Sequence, residues 1–264
     1  MLKLNTAIYL AAGFLLLACN PDEEPEGIQN SKLIIHFDPR INNVSIQMGE
    51  RLATPLNQAI EVSDLNFYLS DIALQKPNGE LVQLAEVAFL KMRPSTNSPG
   101  QNWRVLEYDL PEGSYSAISF GLGVSPDLNG TQNPDFTTSL YDINHPLSES
   151  NGMYWAWESG YRFMLFEGRC DSVWQTADNL PMTFALHTGR DTLYRVLQPF
   201  PVNISSQNSP NNILNFAIDI DTIFDHEGQS IDLASERQFH GAYAQLPLGI
   251  KLANNSASAF RLLN

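Results

Sequence analysis

Five histidines and one tryptophan-rich string hold most of the chemistry that this sequence offers. Met153, Tyr154, Trp155, Trp157, Tyr161 and Phe163 crowd into the run NHPLSESNGMYWAWESGYRFMLFEG at residues 144–168. Side chains alternate along an extended segment, so Met153, Trp155 and Trp157 share one face there. A thioether, a pair of indoles and the nearby His145 make a soft, oxidisable set suited to copper. The same rings also suit a hydrophobic core, where aromatics bury large areas. His187 ends the strand-like run FALHTG on the face of Thr183 and Ala185, opposite Met182, Phe184 and Leu186. His36 shares a face with Ile34, which reads as a hydrogen-bonded core histidine or as a ligand. His240 precedes Gly241, and His226 sits in the turn Asp225-His226-Glu227-Gly228. Neutral imidazoles ligate metals at pH 7. The candidate ligands are therefore His187, His240, His36 and His145, and the candidate redox-active or modified residues are Trp155 and Trp157.

Familiar catalytic patterns are missing from the sequence. His226-Glu227 does not begin a zinc-protease helix, because position 230 is Ser. There is no G-x-S-x-G nucleophile elbow. Gly121-x-Gly123 runs into a loop rather than the helix of a dinucleotide site. Asp219, Asp221, Asp225 and Glu227 lack the spacing of an EF-hand and read as a solvated strand end and turn. Cys170 has neither a partner nor a catalytic neighbour. The expectation is a binding protein that is not itself an enzyme.

These residues need a scaffold, and the composition says which kind. With 43% hydrophobic and 17% charged residues, the 264-residue chain can build a packed core. A net charge of −14 argues against nucleic acid and against docking on anionic lipid through a basic face. Short runs rich in β-branched and aromatic residues recur between turn signals: Lys32–Phe37, Leu65–Leu74, Glu80–Met92, Ser114–Val124, Tyr161–Glu167, Pro181–Leu186, Asp191–Gln198 and Ile213–Ile220. In Leu65–Leu74 the apolar phase switches past Asp71 from Leu65, Phe67 and Leu69 to Ile72 and Leu74, as a bulge produces. The pattern predicts an all-β, antiparallel, immunoglobulin-like sandwich with long loops. Between Ser235 and Phe260, alanines and leucines interrupted by Pro247 and Gly249 predict one or two short helical pieces.

The N-terminus reads as a targeting segment. Ala7–Leu17 is an apolar run too short to span a bilayer, which needs about 20 residues, but suited to a signal peptide. It ends Leu16-Leu17-Ala18-Cys19, which matches a bacterial lipobox. Residues 1–18 are thus read as a lipoprotein signal, 19–31 as an acidic tether with Cys19 lipidated, and 32–264 as one domain. A single further cysteine, Cys170, leaves that domain without an internal disulfide. The acidic run after Cys19 resembles the surface-export signal of Bacteroidota lipoproteins, which places the protein in the cell envelope, at the outer membrane.

Taken together, HPLSESNGMYWAWESGYRFMLFEG, LNFYLSDIAL, EGSYSAISFGLGV, FALHTG and the tail from Asp219-Ile220-Asp221 through His240 to Ala259-Phe260 resemble the MbnP-like family over roughly residues 32–262. The resemblance implies a secreted or lipid-anchored β-sandwich associated with copper and with a MauG-like di-haem peroxidase partner. In copper-binding relatives a tryptophan is oxidised to kynurenine, which with histidines holds the metal. The chain departs from many such members in having Gly130 where they carry a histidine, and in lacking their cysteines apart from Cys170, which stands elsewhere. A second reading is an adhesion or ligand-binding module whose exposed, coplanar aromatic rings form a platform. The lipobox is directly testable: Cys19→Ala should release the protein from the membrane fraction, and an unchanged membrane location would refute lipidation.

Overall fold

The computed structural model describes residues 31–92, 104–131, 138, 141–156, 159–174 and 179–263. The proposed signal peptide, Cys19 and Trp157 lie outside the described residues. The first strands are β1 (Lys32–Ile41), β2 (Val44–Ser45), β3 (Arg51–Ala53), β4 (Ala59–Gln75), β5 (Leu81–Met92), β6 (Arg104–Asp109) and β7 (Ser114–Leu122). A single helical turn, α1 (Pro126–Asn129), is followed in the chain by β8 (Tyr154–Ala156) and β9 (Gly160–Asp171). Next come β10 (Met182–Gly189), β11 (Arg195–Val196), β12 (Phe200–Ser205), β13 (Asn211–Asp219), α2 (Ile220–Phe224), β14 (Gln238–Phe239), α3 (Leu246–Ser258) and β15 (Phe260–Leu263).

Two sheets face each other. The smaller runs β15-β13-β1-β2, with β6 beside β1; the larger runs β11-β7-β4-β9-β10-β14, with β3 and β5 also paired to β4, β8 to β9 and β12 to β7. The core between them takes the odd positions of β1, Leu33, Ile35 and Phe37, and the even positions of β13, Leu214, Phe216 and Ile218. Across from these stand Leu65, Phe67 and Leu69 of β4 and Ile118, Phe120 and Leu122 of β7. Phe37 stacks on Phe216 with ring centroids 5.5 Å apart, and Phe120 and Phe260 meet the pair edge-on. Burying each such side chain contributes roughly 1.5–3 kcal/mol.

The sandwich matches the sequence pattern, and its pairing is mixed. β1 lies parallel to β13 and β10 parallel to β14, while the other pairs are antiparallel. Hairpins force antiparallel pairing only between strands close in sequence, and a long crossover permits the parallel arrangement. The phase switch in β4 is real. Asp71 adopts φ 55°, and the registers with β5 and β7 both shift next to it. Leu65, Phe67 and Leu69 before it and Ile72 and Leu74 after it consequently enter the same core.

One expected strand needs correction, while the expected C-terminal helical pieces are present and differ only in not being interrupted at Pro247 and Gly249. Asp191–Gln198 is not one strand: Asp191–Leu193 forms a 3-10 turn, and only Arg195–Val196 pairs. The C-terminal helical pieces include one continuous 13-residue helix, α3, which contains both Pro247 and Gly249. Pro247 lies in the first turn, where no backbone donor is needed. Gly249 is required for contact, since a Cβ there would fall 2.3 Å from Cζ of Phe239.

A second apolar layer covers the outer face of the large sheet. Tyr68, Val87, Val124, Leu147, Met153, Tyr161 and Phe163 cluster beneath the loop that precedes β8. The hydroxyls of Tyr68 and Tyr161 donate to the carbonyls of Pro146 and Leu147, so the ring tips are satisfied while the rings pack. Met153 is 1% exposed within this layer, which makes it a packing residue rather than a sulfur donor beside a histidine.

Candidate metal centre

The register of three strands assembles the site. In β10, Phe184 and Leu186 point into the core, so Ala185 and His187 face outward with the second apolar layer. Antiparallel β9 sets Leu165 opposite His187 and Glu167 opposite Ala185. Glu167 therefore lies diagonally from His187 on the same face, within side-chain reach. Parallel β14 sets Gln238 beside Ala185 and Phe239 beside Leu186. Phe239 enters the core, so Gln238 and, one step beyond the strand, His240 turn outward beside His187.

The distances confirm a connected group. Nδ1 of His187 lies 3.1 Å from Nδ1 of His240. Nε2 of His187 lies 2.6 Å from Oε1 of Glu167, and Nε2 of His240 lies 3.0 Å from Oε1 of Gln238. The amide nitrogen of Gln238 donates to the carbonyl of Thr183 at 3.2 Å. His187 is only 4% exposed, whereas His240 opens to solvent. Burial first, then the nearby His240 and the Arg162 guanidinium, pushes the His187 pKa down to about 3, so its imidazole is neutral at pH 7. Glu167, partly solvated, does not reverse that direction.

Trp155 closes one side of the pair. Its ring centroid is 6.0 Å from that of His187, and the Arg162 guanidinium carbon lies 5.3 Å above the indole. The indole fits because two neighbours lack side chains. A Cβ on Gly189 would meet Cζ3 of Trp155 at 3.1 Å, and one on Gly241 would meet it at 2.9 Å. Gly241 also has φ 77°, in the left-handed region that favours glycine. Arg190 donates from Nε to the Gly241 carbonyl and stacks on Tyr243 at 4.1 Å, which ties the β14–α3 connection to the end of β10.

Of the candidate ligands, the structure brings His187 and His240 together and places His36 and His145 elsewhere. His36 faces outward from the small sheet, with Nδ1 3.0 Å from Oδ1 of Asn215. The core reading of His36 fails because Leu33, Ile35 and Phe37 take the inner face of β1. His145 stacks on Tyr141 with centroids 4.3 Å apart, and its Nδ1 accepts the Leu147 amide. Of the candidate tryptophans, Trp155 lies beside the pair, and Trp157 falls outside the described residues. Gly130 ends α1 at φ 73°.

Sequence reasoning missed Glu167, Gln238 and Arg162. Glu167 alone had a usable signal, a lone carboxylate on the outward face of a strand beside a histidine strand. Among the described residues, no group of three or more His, Cys, Asp and Glu side chains is arranged to hold a metal ion. The geometry explains why: Glu167 meets the Nε2 side of the His187 ring, away from the point that the two Nδ1 atoms share. The donor set there is two imidazole nitrogens flanked by an indole, and it fits a metal that favours nitrogen ligands.

A family model described as MbnP matches residues 30–243 of the chain. Among solved structures, MbnP from Methylosinus trichosporium is similar at 17% identity, over 81% of this chain and 82% of that one, with a TM-score of 0.49. No curated protein matches.

A histidine whose folded pKa, about 3, lies below its ordinary 6.5 binds its proton more readily in the unfolded chain. Its contribution to stability is whole above 6.5 and is lost as pH falls toward 3. The melting temperature of metal-free protein should therefore fall across that window, and less steeply for His187→Gln. Parallel pH profiles for the two proteins would show that His187 does not titrate in this way.

Proposed function

We propose that this chain, which belongs to the MbnP family, is a lipid-anchored, extracytoplasmic protein binding a metal ion, copper foremost, at His187 and His240. One observation carries this reading: the two Nδ1 atoms approach to 3.1 Å beside the Trp155 indole. Two imidazole nitrogens, each about 2.0–2.1 Å from a shared ion, stand roughly 3–4 Å apart. Imidazole is a ligand type suited to copper. When bound, copper would supply a redox-active centre at this point. The chain's own residues orient the two rings, shield one side with Trp155 and leave His240 open to exchange.

Trp155 is the residue proposed for oxidation to kynurenine. Cleavage of the indole C2–C3 bond takes one oxygen from each of two waters and releases four protons and four electrons, which a MauG-like di-haem peroxidase partner accepts and passes to hydrogen peroxide. Hydrolysis of the resulting formamide releases formate and leaves an aryl amine and a ketone, donors that an indole lacks. The protein itself is proposed to be substrate and metal carrier, not enzyme, held at the outer membrane through Cys19. The adhesion-platform reading needs exposed, coplanar rings. Trp155 instead is half-buried, with its ring against Gly189 and Gly241.

Titration of the metal-free protein with copper(II) tests the site. Binding should be lost in His187→Ala and in His240→Ala and kept in His36→Ala and His145→Ala. A wild type that binds nothing, or variants that all bind alike, would sink the assignment. The modification has its own readout. After co-expression with a di-haem peroxidase of this type, fragment masses should show one carbon exchanged for oxygen at Trp155, and an unaltered Trp155 would remove that step.

A further inference from the structure

We propose that Glu167 and Gln238 are positioning residues that hold the imidazole protons of His187 and His240 on Nε2, so that both Nδ1 lone pairs face one shared point. This deepens the metal reading above and rests on it for its purpose. The placement of the protons stands on hydrogen bonding alone.

A carboxylate oxygen only accepts, so the 2.6 Å contact to Glu167 requires a proton on Nε2 of His187. His240 meets the side chain of Gln238, whose oxygen and nitrogen are interchangeable in shape. The Thr183 carbonyl resolves which is which. It accepts from the amide nitrogen of Gln238 at 3.2 Å, which leaves Oε1 toward Nε2 of His240 at 3.0 Å. That oxygen too can only accept, so Nε2 of His240 carries a proton. Strand pairing of Gln238 with Ala185 holds the backbone of this relay in place.

In neutral rings the proton on Nε2 leaves Nδ1 bare. Two bare Nδ1 atoms then face each other at 3.1 Å. Such a pair repels until a cation lies between its lone pairs. The alternative is a direct histidine–histidine hydrogen bond between neutral rings. It would strip the proton from one Nε2 and leave two acceptors in contact at 2.6 or 3.0 Å. Glu167 and Gln238 thus disfavour the self-satisfied arrangement and keep the site open for a cation that takes nitrogen donors. Metal-binding histidines commonly donate their second N–H to a carboxylate or carbonyl oxygen. Here two different residue types do so, and neither reaches the shared point itself.

The experiment begins with metal-free, 15N-labelled wild type at neutral pH. Long-range 1H–15N spectra, assigned with His187→Gln and His240→Gln, report which ring nitrogens carry protons. Both Nε2 atoms should be protonated, and a bare Nε2 on either ring overturns the proposal. Gln238→Met should move the His240 proton to Nδ1, and Gln238→Met and Glu167→Leu should each weaken copper(II) binding about 10–100-fold. Glu167→Gln retains an acceptor oxygen and should bind close to wild type. Leucine and glutamine variants that bind equally would refute the role of the acceptor. A wild type that shows both Nε2 protons and binds no copper overturns the metal reading while supporting the placement of the protons.

Discussion

The site depends on the register of a strand only two residues long. Gln238 and Phe239 are the paired residues of β14, and a slip by one position would send Phe239 outward and the polar side chains into the core. Phe239 prevents that slip. It is fully buried, and its ring packs so closely on Gly249 of α3 that no Cβ fits between them. The apolar contact of helix and strand thus fixes the phase of β14. That phase presents Gln238 to His240 and His240 to His187. Packing in the core decides polar chemistry on the opposite face.

The seat of Trp155 follows a parallel logic on the other side. The loop before β8 is held to the sheet by the second apolar layer and by the Tyr68 and Tyr161 hydroxyls. Asn129, fully buried at the end of α1, accepts the Tyr161 amide and donates to Asp191 just past β10. The start of β9 and the end of β10 are therefore bound to one side chain. Gly189 and Gly241 then leave the gap that the indole fills. Arg162 caps it, its Nη1 held by the Gly152 carbonyl while its buried Nε has no partner among the described residues.

Much of the fold was legible because alternation in a strand reports which face is buried. The switch at Asp71 was readable for the same reason: a displaced apolar phase has few causes other than an extra residue in the strand. The outward face of His187 could be read from Phe184 and Leu186. For His36 the alternation was present but loose, and it could not say which of the two faces met the core. β14 was invisible, since two residues carry no period. Its partner strand lies about fifty residues away, paired parallel and without a hairpin turn to announce it. Pro247 and Gly249 looked like helix breakers because sequence alone does not show that one opens the helix and the other admits Phe239.

The two faces of the large sheet carry different kinds of residue. The inner face spends its residues on an apolar core, in which Cys170 is buried and free. The outer face carries the polar chain of Thr183, Gln238, His240, His187 and Glu167. That chain makes its hydrogen bonds outside the sandwich core, so it can change while the packing stays in place. A scaffold divided in this way can vary the polar residues at the sheet edge without remaking its core. In the proposed site, the orientation of the His187 and His240 rings rests on the acceptors Glu167 and Gln238.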